Sequence, residues 1–422
     1  MNILLLGGGG REHTFAWKMS QSPLCSRLYI APGNAGTRQY GVNLPIGVTD
    51  FAAIKKAAIE KNIQLVLVGP EAPLVEGIYD FFKKEKTLRH IPVIGPSAKG
   101  AQLEGSKAFA KKFMASKNIP TAGYQEFTKK SLQKGLDYIT TLTPPIVLKA
   151  DGLAAGKGVL IIDNIKEAQQ ELTAMLDGKF GSASTTVVIE DFLDGIEFSV
   201  FVLTDGASYK VFPIAKDYKR IGEGDTGLNT GGMGAVSPVP FVDQTLFQKV
   251  VDHIIEPTIE GIQEQQLEYI GFIFIGLIKV GNDPYVIEYN CRMGDPETEV
   301  VLPRLKNDLV ELLLATAEGT LEECAIEIDT QAATTIMLVS GGYPQAYEKG
   351  KAIKGIEKIK DSLVFHAGTK LANQQVVTNG GRVLALTSLG KDFKKALAIS
   401  KKNATKISFE GKYYRKDIGF DL

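Results

Sequence analysis

Glu288, Asn290 and Arg292 are the residues whose types and spacing most directly suggest chemistry in this chain. They lie in the stretch Tyr285-Val-Ile-Glu-Tyr-Asn-Cys-Arg-Met-Gly-Asp-Pro-Glu-Thr-Glu-Val300. Its first half reads as a strand, because aromatic and β-branched residues follow Pro284 and a helix-like pattern starts only after Pro296. Alternation along a strand puts Ile287 and Tyr289 on one face and Glu288 and Asn290 on the other, about 6.6 Å apart at Cα. A carboxylate beside an amide oxygen suits Mg²⁺, which takes one or two protein oxygens and leaves its other positions to water and phosphate. Arg292 continues that face, and Gly294 lets the chain turn sharply. A metal pair followed by a fixed cation is what phosphoryl transfer needs, since its catalysis is mostly positioning and charge neutralisation. The alternative is an amphipathic strand with a solvated polar face.

A second stretch fits the first. In Ile146-Val-Leu-Lys149-Ala-Asp-Gly-Leu-Ala-Ala-Gly156-Lys157-Gly-Val159 a glycine loop joins two apolar strands. A Walker loop needs G-x-x-x-x-G-K-[ST] followed by a helix. Here the first gap is one residue short, Gly158 replaces the Ser/Thr, and a strand follows. No hydroxyl is supplied for a metal, so the metal must be held elsewhere, as Glu288 and Asn290 could do. Lysines embedded among glycines argue for a bound anion over an ordinary turn.

The elements that must position these residues follow from pattern. Short apolar strands at Ile3–Leu6, Leu28–Ile30, Leu65–Val68 and Val93–Ile94 alternate with helical stretches near Glu12–Ser20, Asp50–Lys61 and Leu74–Lys84. Such alternation predicts a doubly wound parallel sheet over residues 1–104. Its strand ends carry Gly7-Gly-Gly-Gly-Arg-Glu-His13, Ala31-Pro-Gly-Asn-Ala-Gly-Thr37 and Gly69-Pro-Glu-Ala-Pro73. The first of these is no dinucleotide fingerprint, because Glu12 or His13 stands where the third glycine belongs and no acid follows the second strand. It could still hold a phosphate at a helix N-terminus. His13 is read as a helix-start or packing residue. A helix capped by Ser106 and stopped by Pro120 follows. Val187-Val-Ile-Glu190-Asp-Phe-Leu193-Asp-Gly-Ile-Glu197 reads as a strand and turn bearing acids. Thr226-Gly-Leu-Asn229-Thr-Gly-Gly-Met-Gly234 is a glycine run whose amides could form an anion nest. Further strands are expected at Phe272–Val280, Thr334–Val339, Val364–His366 and Gly381–Leu386.

Composition bounds the rest. At 422 residues the chain should hold about three domains. Lys+Arg and Asp+Glu each total 48, so a zero net charge gives no support for nucleic-acid or membrane partners. Three widely spaced cysteines (Cys25, Cys291, Cys324) fit neither a disulfide framework nor a zinc pattern, which points to a reducing cytoplasm; Cys291 is read as packing. The N-terminus lacks signal-peptide character, and the longest apolar run, Tyr269 to Ile278, is too short to span a membrane. No nucleophile elbow or Cys/His pair in recognisable context is present.

Arg292-Met-Gly-Asp-Pro-Glu-Thr-Glu-Val300 closely resembles the signature segment of the glycinamide ribonucleotide synthetase family, within the ATP-grasp superfamily. The resemblance extends over nearly the whole chain. It implies a multidomain α/β and α+β protein: a doubly wound domain at 1–104, an ATP-grasp large subdomain at 105–122 and 191–328, a small lid subdomain at 123–190, and a small α+β closing domain at 329–422. It also implies ligation of glycine to 5-phosphoribosylamine, with ATP cleaved to ADP and phosphate through glycyl phosphate, in purine biosynthesis. ATP would meet Lys107, Lys149, Gly156, Glu190, the backbone of Leu193, and Glu197. Glu288 and Asn290 would hold Mg²⁺ (or Mn²⁺), while Arg292, Lys157 and Asp217 would serve the reaction. Gly9, Arg11, Asn34, Glu71, Asn229, Thr230, Gly231, Lys370 and Arg382 are the candidates for substrate contact. Two departures stand in the substrate loop: Tyr218 where the family commonly has histidine, and Leu228 where it has proline. A monomer is expected, with a dimer as the alternative. Another ATP-grasp carboxylate–amine ligase, a biotin carboxylase-like enzyme or a non-catalytic nucleotide-binding regulator are the competing readings.

Overall fold

Five parallel strands in the order Val42–Asn43, Arg27–Pro32, Asn2–Gly7, Leu65–Val68, Val93–Ile94 form the first sheet. The computed structural model describes residues 1–154 and 157–422. Leu65–Val68 and residues 3–6 of the central strand are buried on both faces, as continuous apolar runs in a helix-covered parallel sheet must be. No sequence pattern marks the Val42–Asn43 strand, which is two residues long and half polar. The helix expected at Leu74–Lys84 is two helices, Glu71–Val75 and Ile78–Lys84. Gly77 separates them at φ +86°, a left-handed conformation that suits glycine.

Lys107–Ser116 is the helix expected after Ser106, whose hydroxyl accepts from the Phe109 N–H at 3.0 Å. A small antiparallel sheet follows, ordered Tyr124–Thr128, Thr186–Asp191, Ile146–Ala150, Val159–Ile162. It packs on the helices Leu132–Thr140 and Ile165–Ala174 through its own apolar core, which includes Phe127, Leu148 and Leu172.

A four-stranded sheet ordered Tyr209–Val211, Ile196–Thr204, Gly271–Val280, Asp283–Asn290 supplies the wall that carries Glu288. One face shares a core with the helices Lys107–Ser116 and Glu256–Glu264, and the other meets the N-terminal sheet through Phe201, Phe272 and Phe274. A β-bulge interrupts its last pair: Gly276 faces Glu288 whereas Leu277 faces Val286. The strict alternation expected for 285–290 is therefore broken at Ile287. Val286 and Tyr289, three residues apart, enter the same core, and Ile287 does not share a face with Tyr289. Glu288 and Asn290 lie beyond the bulge and keep their common face.

The last sheet, ordered Lys216–Asp217, Gly234–Ser237, Ala332–Val339, Arg382–Gly390, Leu363–His366, is covered by the helix Phe393–Lys406. Strands from the 216–237 loop region are thus stitched to strands from beyond 332. The loop is held from two sides. A hairpin of Thr369–Ala372 and Gln375–Thr378, too short and polar to show in the pattern, carries Lys370.

Candidate active site

A cavity of about 1100 Å³ opens where the three larger sheets and the small sheet converge. Glu288, Asn290 and Arg292 line it together, as their shared strand face requires. Burial would push the Glu288 carboxyl up, but Lys219, Lys107, Lys149 and Arg292 hold it below its ordinary value. It is therefore an ionised oxygen donor, without a hydrogen-bond partner among the described residues. Asn290 Oδ1 accepts from Arg292 Nη2 at 3.1 Å, which leaves the oxygen a second lone pair. A hard cation that takes further oxygens from phosphate fits this donor pair. Among the described residues no group of three or more His, Cys, Asp or Glu is arranged to hold a metal by itself.

Arg292 is fixed by a residue that sequence reasoning missed. Its Nη2 donates to Glu104 Oε1 at 2.7 Å, and Glu104 Oε2 accepts from the Cys291 N–H at 2.8 Å and the Cys291 thiol at 3.1 Å. Glu71 adds a looser ion pair at 3.5 Å. Cys291 is buried as expected, but its thiol also helps to orient Glu104. Nothing local marks Glu104, since it meets Arg292 across 188 residues.

Opposite lies a second buried knot. Glu190 Oε2 pairs with Lys149 at 2.8 Å and with Lys111 at 3.2 Å. Its Oε1 is buried without a partner among the described residues. Burial, with Lys149 nearby, lowers the Lys111 amine to about 8. Sequence reasoning also missed Lys111, one of several lysines on its helix; its position one turn after Lys107 on the same face was the available signal. Lys149 also donates to the Ile287 carbonyl at 3.2 Å, the backbone group that the bulge sets off from the core. Lys107, Leu193, Glu197 and Asp217 line the same cavity, and Glu197 pairs with Lys219 at 2.6 Å. Lys157 is exposed and does not line the cavity, and Gly156 lies outside the described residues.

Of the candidate substrate contacts, Gly9, Arg11, Glu71, Asn229, Thr230, Gly231 and Arg382 line the cavity; Asn34 and Lys370 do not. The Asn34 side chain closes its own turn, accepting from the Gly36 and Thr37 N–H groups and donating to the Gly8 and His366 carbonyls. Arg11 pairs with Glu12 at 2.6 Å and donates to the Met293 carbonyl at 3.0 Å. Arg382 holds Asp295 at 3.0 Å and donates to the Gly231 carbonyl.

Both glycine runs differ from expectation. At the helix Gly10–Met19, the Gly9 N–H is bound by Glu12 at 2.6 Å and the Arg11 N–H by Asp295 at 3.1 Å. Carboxylates already cap these two amides, so they are not open to a phosphate. In the other run the N–H groups of Thr230, Gly231, Gly232 and Met233 go to Lys219 O, Tyr343 Oη, Thr230 Oγ1 and Tyr218 O. That is not an anion nest. The glycines there serve close packing: a Cβ on Gly232 would stand 2.4 Å from Pro296 Cδ, and one on Gly231 would stand 2.9 Å from Arg382 Cζ. His13 is buried at a helix start, as expected; its Nδ1 accepts the His366 N–H across the seam with the C-terminal sheet.

Known proteins resemble this chain along its whole length. Residues 1–104 match the N domain of phosphoribosylglycinamide synthetase, residues 105–298 its ATP-grasp (A) domain, and residues 333–421 its C domain. A phosphoribosylamine–glycine ligase of Escherichia coli (strain K12) is 47% identical over 428 residues, covering 100% of this chain and 98% of the relative. One from Haemophilus influenzae is 46% identical over 426 residues, at the same coverage. The crystal structure of phosphoribosylamine–glycine ligase from Thermotoga maritima superposes with a TM-score of 0.86 at 34% identity, covering 99% of this chain and 100% of that one. A biotin carboxylase from Campylobacter jejuni shares the fold, with a TM-score of 0.73 at 17% identity, covering 100% of this chain and 94% of that one. Matched along its length by all three domain descriptions and at close to half identity by full-length relatives, the chain belongs to the phosphoribosylglycinamide synthetase family.

Proposed function

We infer that this chain is an ATP-dependent ligase that joins glycine to 5-phosphoribosylamine, giving glycinamide ribonucleotide, ADP and phosphate in purine biosynthesis. The observation that carries this reading is the convergence of Glu288, Asn290 and Arg292 with the Lys149–Glu190–Lys111 knot on one cavity, in a chain of this family. Glycine carboxylate attacks the terminal phosphoryl group of ATP, forming glycyl phosphate. The amine of phosphoribosylamine then attacks the acyl carbon, phosphate leaves, and the amine gives up a proton. No side-chain nucleophile is required.

Each residue then has a part. Lys107 and Lys149 neutralise ATP phosphates, and Lys157, exposed outside the cavity, joins them only if its loop moves. The unpaired Glu190 Oε1 accepts from the amino group of the base, the Leu193 backbone meets the base edge, and Glu197 meets the ribose. Glu288 and Asn290 would hold Mg²⁺ or Mn²⁺, which would draw charge from the phosphates. Arg292, held rigid by Glu104, stabilises the negative charge that develops on the transferred group. Gly9, Arg11, Glu71, Asn229, Thr230, Gly231 and Arg382 bound the substrate end of the cavity. Asn34 acts by shaping the turn behind it, and Lys370 is a candidate for substrate phosphate only through movement of its hairpin. Among the described residues no helix is long and apolar enough to cross a membrane, and we place the enzyme in the cytoplasm as a monomer acting on small molecules.

The test is ADP release with a panel of amino acids, with and without phosphoribosylamine. Turnover is expected with glycine and phosphoribosylamine together. Bicarbonate-dependent ADP release that ignores glycine would favour a carboxylase-like ligase, and nucleotide binding without release would favour a regulator.

A further inference from the structure

The substrate loop, residues 216–232, is tied down by the segment 413–421, which follows the helix Phe393–Lys406. Tyr413 Oη donates to the Ile221 carbonyl at 3.0 Å, and the Asp417 carboxylate accepts the Gly224 N–H at 2.7 Å. Arg415, whose side chain is wholly buried, donates to the Arg220 carbonyl at 3.1 Å and pairs with both Asp417 and Asp225. Asp421 completes the set. Lys216 and Tyr218 stand two residues apart on extended chain, so both can turn toward one partner. Lys216 Nζ meets Asp421 Oδ2 at 3.2 Å, and the Tyr218 hydroxyl donates to Asp421 Oδ1 at 2.7 Å, across 203 residues of sequence. Lys216 and Tyr218 are buried, and Asp421 also lines the cavity.

A buried ammonium and a buried phenol each need a partner, and one carboxylate serves both. The Lys216 ammonium also lies 4.8 Å from the centre of the Tyr218 ring, and the Arg415 guanidinium lies 5.4 Å from it. Burial first, and then the bond to Asp421, raise the Tyr218 phenol above its ordinary value, so it stays a donor. Tyr218 in turn carries the loop. Its N–H donates to the Gly234 carbonyl at 3.0 Å, and its carbonyl accepts the Met233 N–H at 2.7 Å. A shift of Tyr218 is therefore passed to the run that sets Asn229, Thr230 and Gly231 at the cavity. We propose that Asp421 is a positioning residue for the ligation, acting through Tyr218 and Lys216 to hold the substrate loop in its working place. Its effect on turnover rests on reading the chain as a ligase. The other ties of the segment keep the loop attached when this one is cut, so position is lost before fold.

Two variants of the full chain and their combination test this. Asp421→Ala cuts both ties, and Tyr218→Phe cuts one by removing a hydroxyl from a residue that does not line the cavity. ADP release at saturating MgATP gives kcat/KM for glycine and for phosphoribosylamine. Asp421→Ala is expected to lower both by about tenfold and Tyr218→Phe by about threefold or more, with the KM for ATP kept within about twofold. The variant carrying both changes should be no worse than Asp421→Ala alone, because the hydroxyl acts through the carboxylate. Additive losses would show Asp421 acting on substrate by itself and would overturn the positioning role. Unchanged values, or a loss of ATP binding along with turnover, would overturn it too. Hydrogen exchange reads the tie without turnover: the Met233 N–H and the amides of 219–232 should exchange faster in both variants than in the wild type. Unchanged exchange would overturn the proposal. A wild type that released no ADP with glycine and phosphoribosylamine would overturn the ligase reading, while exchange would still decide the tie.

Discussion

Glu104→Gln should disable the site by loosening Arg292. Glu104 receives the Arg292 guanidinium at 2.7 Å through Oε1, and the Cys291 N–H and thiol through Oε2. Glutamine can keep only one of these sets. If its oxygen stays with Cys291, its NH₂ points at Arg292 Nη2, donor against donor. A charge-assisted hydrogen bond in a buried site contributes roughly 1.5–3 kcal/mol, and the opposed donors add to the loss. If that energy is what holds Arg292 in position for the transferred phosphoryl group, turnover falls about ten- to a hundredfold. The assay is ADP release at saturating ATP, glycine and phosphoribosylamine, with ATP binding measured in parallel. The expected signature is a loss in kcat with ATP affinity kept to within about threefold, since Lys149 and Glu190 lie elsewhere in the cavity. Activity within about threefold of wild type would refute the claim that Glu104 positions Arg292.

Three further perturbations probe separate parts of the account. Glu288→Gln should shift the magnesium dependence upward by at least the roughly 10–100-fold that loss of an outer-sphere partner costs, and normal turnover at sub-millimolar magnesium would remove Glu288 from the metal site. Gly232→Ala puts a Cβ 2.4 Å from Pro296 Cδ at φ +116°, so it should cost about 1–3 kcal/mol in thermal or urea unfolding and lower turnover as the substrate loop shifts; an unchanged midpoint would show that the loop yields freely. Burial, aided by the nearby His366, holds His13 neutral by lowering it from 6.5 to about 3. The unfolded chain therefore binds a proton that the folded chain refuses, and stability falls as the pH drops from about 6.5 toward 3, by about 2 kcal/mol at pH 5. His13→Gln should lose that component, and identical pH dependence of unfolding in the two proteins would contradict it.

What the sequence revealed and what it hid divide along the range of the interactions. The strand–glycine loop–strand around Lys149, the helix capped by Ser106, and the pair Glu288/Asn290 are local patterns, and they appear where periodicity and capping put them. The bulge at Ile287 is a property of two strands read against each other, so one strand could not disclose it. Glu104 and Lys111 owe their importance to partners far along the chain. The glycine runs mislead for a different reason. Glycine composition signals close approach or an unusual φ equally well, and here the neighbours are Glu12, Gly33, Pro296 and Arg382 rather than an anion. Asn34 and Lys370 stand in suggestive motifs, and only the packing of the turn and hairpin separates them from the cavity.

The central claim is that glycine is activated by forming glycyl phosphate in this cavity, and isotope transfer tests it most directly. With glycine labelled with heavy oxygen in its carboxylate, a turnover that includes phosphoribosylamine should move one labelled oxygen into the released phosphate, because the acyl carbon–oxygen bond is the one that breaks. Phosphate free of label, with both heavy oxygens of glycine recovered elsewhere, would contradict the account.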